Sequence, residues 1–121
     1  QYVVVGSAIM EAKKIREAGD LDIVVTPELF EECKLNNWKL MPWTKKEVPG
    51  KPWLKKEGVD IVIDMAYQGS ILTAEDLIRE GETIEGITFI TLERLMKFKR
   101  AWGRQKDFDD IEVIERYLSN Q

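Results

Sequence analysis

The chain reads as an α+β domain. Short apolar runs rich in Val and Ile alternate with helical segments, and two amphipathic helices close the chain. Three runs carry the strand side of this reading: residues 2–5, 21–25 and 59–65. Their β-branched content suits half-buried or fully buried strands.

Residues 2–5 predict a buried strand, and Gly6-Ser7 turns the chain. Residues 8–17 suit a short helix, with Gly19 as its stop. Residues 21–25 form the second strand. By period-two alternation, Leu21, Ile23 and Val25 share one face, and Asp20, Asp22 and Val24 share the other. Thr26 and Pro27 are an N-cap and a first-turn proline for a helix to about residue 35. After an Asn36-Asn37 turn, residues 38–43 could form a strand. Residues 44–58 are rich in Lys, Pro and Gly and read as a loop or loose hairpin.

Residues 59–65 give the cleanest strand signal, with Asp60, Val62 and Asp64 on one face. Thr73, with Asp76 three residues later, predicts a capping box. Residues 83–90, split by Gly86, read as a small hairpin. Thr91 caps the next helix. Leu92, Leu95, Met96 and Trp102 lie on its core side, and Gly103 ends it. Asp107, with Asp110 three residues on, is the expected cap of the last helix. Phe108, Ile111, Ile114, Tyr117 and Leu118 form the expected buried face of that helix. No repeat or linker divides residues 1–121, which predicts one domain. The opening strand run has no initiator Met, which predicts a short upstream segment.

Composition narrows the chemistry. The 121 residues contain no histidine, which excludes a Ser-His-Asp triad, a Cys-His pair and His-built zinc sites. Cys33 is alone, so no internal disulfide forms; its apolar neighbours predict a buried helical thiol in a reducing, cytoplasmic setting. No run is apolar enough to cross a membrane, and no signal-peptide pattern opens the chain. The net charge is −4, but two basic bands stand out. One holds Lys45, Lys46, Lys51, Lys55 and Lys56, and could guide RNA or simply be a solvated loop. The other holds Arg94, Lys97, Lys99, Arg100, Arg104 and Lys106.

Without histidine, carboxylates with a hard cation are the economical catalytic set. Asp20 and Asp22 lie two residues apart, so on a strand their carboxylates would sit about 6–7 Å apart on one face. Asp60 and Asp64 offer a third carboxylate from another strand of the same sheet. The Gly6-Ser7 turn can present backbone N–H groups to a phosphate. Two divalent ions roughly 3.5–4 Å apart would relieve the repulsion of such a cluster and neutralise a nucleotide's phosphates. Neutralisation by Lys and Arg side chains is the competing reading.

The run Val3-Val4-Val5-Gly6-Ser7, then Ile15-Arg16-Glu17-Ala18-Gly19-Asp20-Leu21-Asp22-Ile23-Val24-Val25, resembles the nucleotidyltransferase superfamily of the DNA polymerase beta type. It is most similar to the branch of minimal nucleotidyltransferases and AbiEii-like toxins. Val59-Asp60-Ile61-Val62 matches the third acidic element, with Asp64 as the alternative. The tail Lys99-Arg100-Ala101-Trp102-Gly103-Arg104-Gln105-Lys106-Asp107, then Asp110-Ile111, also resembles related proteins. The sequence departs from the family where Lys14 and Ile15 precede Arg16, and the chain is small for a separate acceptor domain.

The resemblance implies a mixed β-sheet flanked by helices, with two C-terminal helices. It implies transfer of a nucleoside monophosphate from a nucleoside triphosphate such as ATP to a hydroxyl, with release of pyrophosphate. The acceptor could be RNA, protein or a small molecule. Asp20 and Asp22 would ligate both Mg2+ ions, with Mn2+ as a substitute. Asp60 would ligate the catalytic ion and help to deprotonate the acceptor. Gly6 and Ser7 would hold the triphosphate. Lys99, Arg104 and Lys106 would contact phosphate or acceptor, and Arg16 would bind nucleotide or pair with a motif aspartate. A non-catalytic nucleotide- or RNA-binding module, or half of a toxin–antitoxin pair, is the alternative on the same fold. A homodimer or partner protein could complete an acceptor cleft.

Overall fold

The computed structural model describes residues 1–19, 21–41 and 53–121. Seven of the described strands form one mixed sheet: β1 (Tyr2–Val5), β2 (Leu21–Val25), β3 (Lys39–Met41), β4 (Trp53–Lys56), β5 (Val59–Val62), β8 (Glu82–Ile84) and β9 (Ile87–Phe89). Their order is β3-β4-β5-β2-β1-β9-β8. β2 runs parallel to β5, and β1 parallel to β9; the other neighbours are antiparallel. β6 (Asp64–Tyr67) and β7 (Ser70–Thr73) form a separate two-stranded ribbon. The helices are α1 (Ala8–Ala12), α2 (Pro27–Lys34), α3 (Ala74–Glu80), α4 (Leu92–Trp102) and α5 (Gln105–Ser119).

Alternation along the strands sorts the apolar side chains onto two faces. Val3, Val5, Val24 and Val62 join a large core with Ile9, Leu77, Leu95, Phe98 and Ile114 from the helices. Val25, Leu54 and Ile61 pack on the opposite face against Phe30 of α2, with Ile23 and Val59 beside them. Cys33 is half-buried on that second face. Asp22 and Asp60 therefore share the face of the large core, as their parity with Val24 and Val62 predicts.

The caps at Thr26, Thr73 and Thr91 form as expected, each hydroxyl accepting a backbone N–H three residues on. The last helix differs. It starts at Gln105, not after Asp107. Asp107 occupies the third position, and its Oδ2 reaches back to accept the Arg104 N–H at 3.1 Å. That shift leaves Asp110 free of any capping role. Phe108 and Leu118 turn outward rather than into the expected buried face.

Residues 59–65 do not form one strand. The chain bends at Ile63, and β6 leaves for its own ribbon. Of the loop or loose hairpin expected at 44–58, the described part forms a hairpin arm: β4 is antiparallel to β5 around Glu57-Gly58. Both turn residues have positive φ, 46° and 82°, the conformation that matches the strand twist in two-residue hairpins. Trp53 and Leu54 are buried and override the two lysines that follow. The rest of that segment and Pro42-Trp43 lie outside the described residues.

The first helix is also shorter than expected. α1 stops at Ala12, and Lys14 adopts φ 59°. The Ile15 N–H donates to the Met10 carbonyl at 2.7 Å, and the Lys14 N–H to the Glu11 carbonyl at 2.9 Å. This is a Schellman ending with Lys in the left-handed position that glycine usually fills. The left-handed conformation costs an L-residue roughly 1–2 kcal/mol. We therefore expect Lys14→Gly to raise the unfolding free energy by up to about 1 kcal/mol, after loss of some of the gain to backbone entropy. Urea denaturation measures this; a destabilised variant would show that the Lys14 side chain matters more than its backbone.

Candidate active site

The sheet register builds the site. Asp22 on β2 lies directly across from Asp60 on the parallel β5, and Val5 of β1 lies on the other side of Asp22. Lys55 of β4 is the cross-strand partner of Asp60. One lateral row on one face thus reads Val5, Asp22, Asp60, Lys55. Asp60 is buried, and its Oδ1 accepts a hydrogen bond from Lys55 Nζ at 3.3 Å. At a strand spacing of about 4.8 Å, two carboxylates repel by roughly 3 kcal/mol in an effective dielectric of about 20. Nearby positive charge offsets that cost, and Lys55 supplies some of it.

Gly6 closes the site at the end of β1. Its φ is +70°, and a Cβ placed on it would lie 3.1 Å from Asp22 Oδ2. The missing side chain thus leaves room for the Asp22 carboxylate and for whatever it binds. Ser7 follows at the start of α1, and its Oγ accepts from Arg16 Nη2 at 3.2 Å.

Arg16 also donates to both oxygens of Asp110, Nε at 2.9 Å and Nη2 at 2.8 Å. Among the described residues, its aspartate partner is Asp110 of α5. Asp110 in turn receives Lys99 Nζ at 2.8 Å, and Lys99 lies 3.6 Å from Asp107. Arg104 grips Asp107 from the surface, Nε to Oδ2 at 2.7 Å. Lys99 is only 4% exposed and Asp107 is fully buried. Lys99 and Arg104 are both engaged in this internal network. Lys106 is exposed on α5.

Asp60 and Asp64 part company. Asp64 begins β6 beyond the bend at Ile63 and lines a pocket with Thr26, Thr73, Asp76 and Arg79 past the end of β2. Asp20 lies outside the described residues, as do Lys45, Lys46 and Lys51 of the first basic band. Among the described residues, no group of three His, Cys, Asp or Glu side chains is gathered for a metal ion. The pair Asp22 and Asp60 is what the described chain assembles. No described helix is long and apolar enough to cross a membrane.

Two residues matter more here than their sequence context indicates. Lys55 looks like part of a solvated band, yet the Glu57-Gly58 turn folds it onto Asp60. Asp110 looks like a capping partner, yet it joins α4, α5 and the segment after α1. The readable signal for Lys55 was an opposite charge at a hairpin-compatible spacing; Asp110 carried none, since Arg16 is 94 residues away and Lys99 lies in another helix.

No family model matches the chain, and no curated protein matches it. A solved structure from Thermotoga maritima, described as "a putative nucleotidyltransferase", aligns with TM-score 0.54 over 100% of this chain and 83% of that one, at 19% identity. That likeness is one of fold. It establishes the mixed sheet flanked by helices, closed by two C-terminal helices, as a nucleotidyltransferase-like α+β architecture.

Burial pushes the carboxyls of Asp107 and Asp110 upward. The hydrogen bonds and charges of Arg104 and Lys99, and of Arg16 and Lys99, together outweigh it and hold both below the ordinary aspartate value. Their stabilisation is thus present above the unfolded value of about 3.9 and is lost as pH falls through the lower folded value. Asp110→Asn should cost about 3 kcal/mol at pH 7, because it leaves buried Lys99 short of a partner. The gap between variant and parent should narrow as pH drops below about 4. Urea titrations at several pH values test this; a gap that does not change with pH would contradict it.

Proposed function

We propose that the chain is a metal-dependent nucleotidyltransferase. It would move a nucleoside monophosphate from a nucleoside triphosphate to a hydroxyl acceptor and release pyrophosphate. The observation that carries this reading is the register that sets Asp22 beside Asp60, with the side-chain-free Gly6 against the Asp22 carboxylate. The fold likeness to a nucleotidyltransferase-like structure supports it.

The donor set fits a hard cation. Two carboxylates on one face, with the Asp22 carboxylate seated against the bare Gly6 backbone, offer oxygen ligands of the kind that Mg2+ and Mn2+ prefer. Asp22 and Asp60 would hold the metal, and Asp20 is the further carboxylate that the sequence supplies two residues before Asp22. When bound, the cation would supply charge neutralisation for the phosphates and the developing pyrophosphate.

The chain's own residues would do the rest. The Gly6-Ser7 backbone would cradle the triphosphate, and Arg16 would hold Ser7 in place through its hydroxyl. The acceptor oxygen would bond to the α-phosphorus as the α–β phosphoanhydride bond breaks. Asp60 would take the acceptor proton, and the bond's electron pair would leave on pyrophosphate. Burial of Asp60 keeps bulk water away from that proton transfer. The acceptor belongs to RNA, protein or a small molecule.

Calorimetry with Mg2+ and each nucleoside triphosphate tests the reading. The parent should bind at least one triphosphate only with the metal present. Asp22→Asn and Asp60→Asn should each weaken that binding by about tenfold or more, equivalent to about 1.4 kcal/mol. Labelled triphosphate incubated with Mg2+ and total RNA or protein should then mark one pool. Binding without any labelled product would favour the non-catalytic module, and no binding by the parent would sink the proposal.

A further inference from the structure

Lys55 is placed where a cation is wanted. It stands opposite Asp60 on the strand edge of the Asp22–Asp60 row, and its Nζ lies 3.3 Å from Oδ1. The two ends of the contact differ. The Asp60 side chain is 8% exposed, while the Lys55 side chain is 42% exposed. The carboxylate is fixed and the ammonium can leave. Lysine suits such a role, as a compact charge on a flexible stem that makes no bidentate clamp. The Trp53 ring, two residues earlier on the same face, lies 5.9 Å from the ammonium and gives it a second contact at the rim of the site.

We propose that Lys55 is a resident counter-ion that competes with the divalent cation for Asp60 and is released toward the triphosphate when the cation binds. The inference rests on the nucleotidyltransferase reading. With no metal bound, the ammonium offsets the repulsion between Asp60 and Asp22. Asp22 and Asp60 would both serve to hold a divalent ion, whose double charge would outweigh a single monovalent contact. The released ammonium would remain on the strand beside Asp60, available to phosphates bound at the same face. Lysine thereby links the two binding events: it opposes the metal alone and favours the metal with its nucleotide.

A partly exposed ion pair of this kind shifts an equilibrium by up to about fivefold. That sets the size of the effect in a titration of Mn2+ followed by the electron paramagnetic resonance signal of the free ion. Without nucleotide, Lys55→Met should bind Mn2+ about three- to fivefold more tightly than the parent. With Mn2+ saturating, the same variant should bind a non-hydrolysable triphosphate several-fold more weakly. Lys55→Gln should show the same opposite-sign pair of changes, which guards against misfolding of one variant; circular dichroism confirms the fold of each.

Lys56→Met is the control for bulk charge. Lys56 is the next residue, and its Nζ lies over Trp38 at 5.8 Å, so its removal should leave Mn2+ affinity as in the parent. Equal tightening in Lys56→Met, or no tightening in either Lys55 variant, overturns the proposal. So does unchanged triphosphate affinity in the Lys55 variants. If Asp22→Asn and Asp60→Asn abolish Mn2+ binding while the Lys55 variants match the parent, only this inference fails. A parent that binds no Mn2+ ends both.

Discussion

The β2–β5 pairing is the constraint on which the rest depends. Leu21, Asp22, Ile23 and Val24 stand opposite Val59, Asp60, Ile61 and Val62. Two apolar contacts on opposite faces hold that register. Val24 and Val62 enter the large core, while Ile61, with Ile23 beside it, packs with Phe30 of α2. A slip of one residue would turn Asp60 into the α2 face and bring Ile61 out of it. Each misplaced aliphatic side chain would lose about 1.5–3 kcal/mol of burial. The carboxylate pair is therefore positioned by hydrophobic packing, and the packing works against its being undone.

The second organising element is the charged network beneath the helices. Lys99, Asp107 and Asp110 are all buried, and an isolated charge at such positions would cost several kcal/mol. The pairing of Lys99 with Asp110 and Asp107, and of Arg16 with Asp110, removes that cost. It also joins three separate parts of the chain. α4 supplies Lys99, α5 supplies both aspartates, and Arg16 brings in the segment between α1 and β2. Because Arg16 also contacts Ser7, the network reaches the turn that closes the candidate site. The Schellman ending at Lys14 makes this reach possible, since a helix continued to residue 17 would carry Arg16 along the α1 axis.

Much of this was legible in the residues. Strand parity grouped Asp22 with Val24 and Asp60 with Val62; that the two pairs face the same way comes from the β2–β5 register and the core that Val24 and Val62 enter. The threonine caps and the Glu85-Gly86 hairpin were readable because each rests on local chemistry. The misreadings have physical reasons too. Lys14 holds a left-handed position without being glycine, so the end of α1 carried no signal. The choice between loop and hairpin at 44–58 stayed open in the sequence, and the burial of Trp53 and Leu54, a long-range effect, decides for the hairpin at β4. Asp64 seemed to share a strand with Asp60 because alternation continues across the bend at Ile63, where the tertiary fold sends the chain into the β6–β7 ribbon. The ion pairs of Lys99 and Arg104 with Asp107 and Asp110 were not legible either, because sequence shows a charge but not the buried aspartate that faces it.

The central claim is that one face of the sheet, at Asp22 and Asp60, forms a divalent-cation site beside Gly6 and Ser7. Paramagnetic broadening of backbone amide resonances by substoichiometric Mn2+ tests it most directly. The account predicts that the signals of Gly6, Ser7, Asp22 and Asp60 vanish first, while those around Asp64 and Thr73 persist. Broadening centred on Asp64 and Asp76, or spread evenly over the acidic surface of α5, would contradict it.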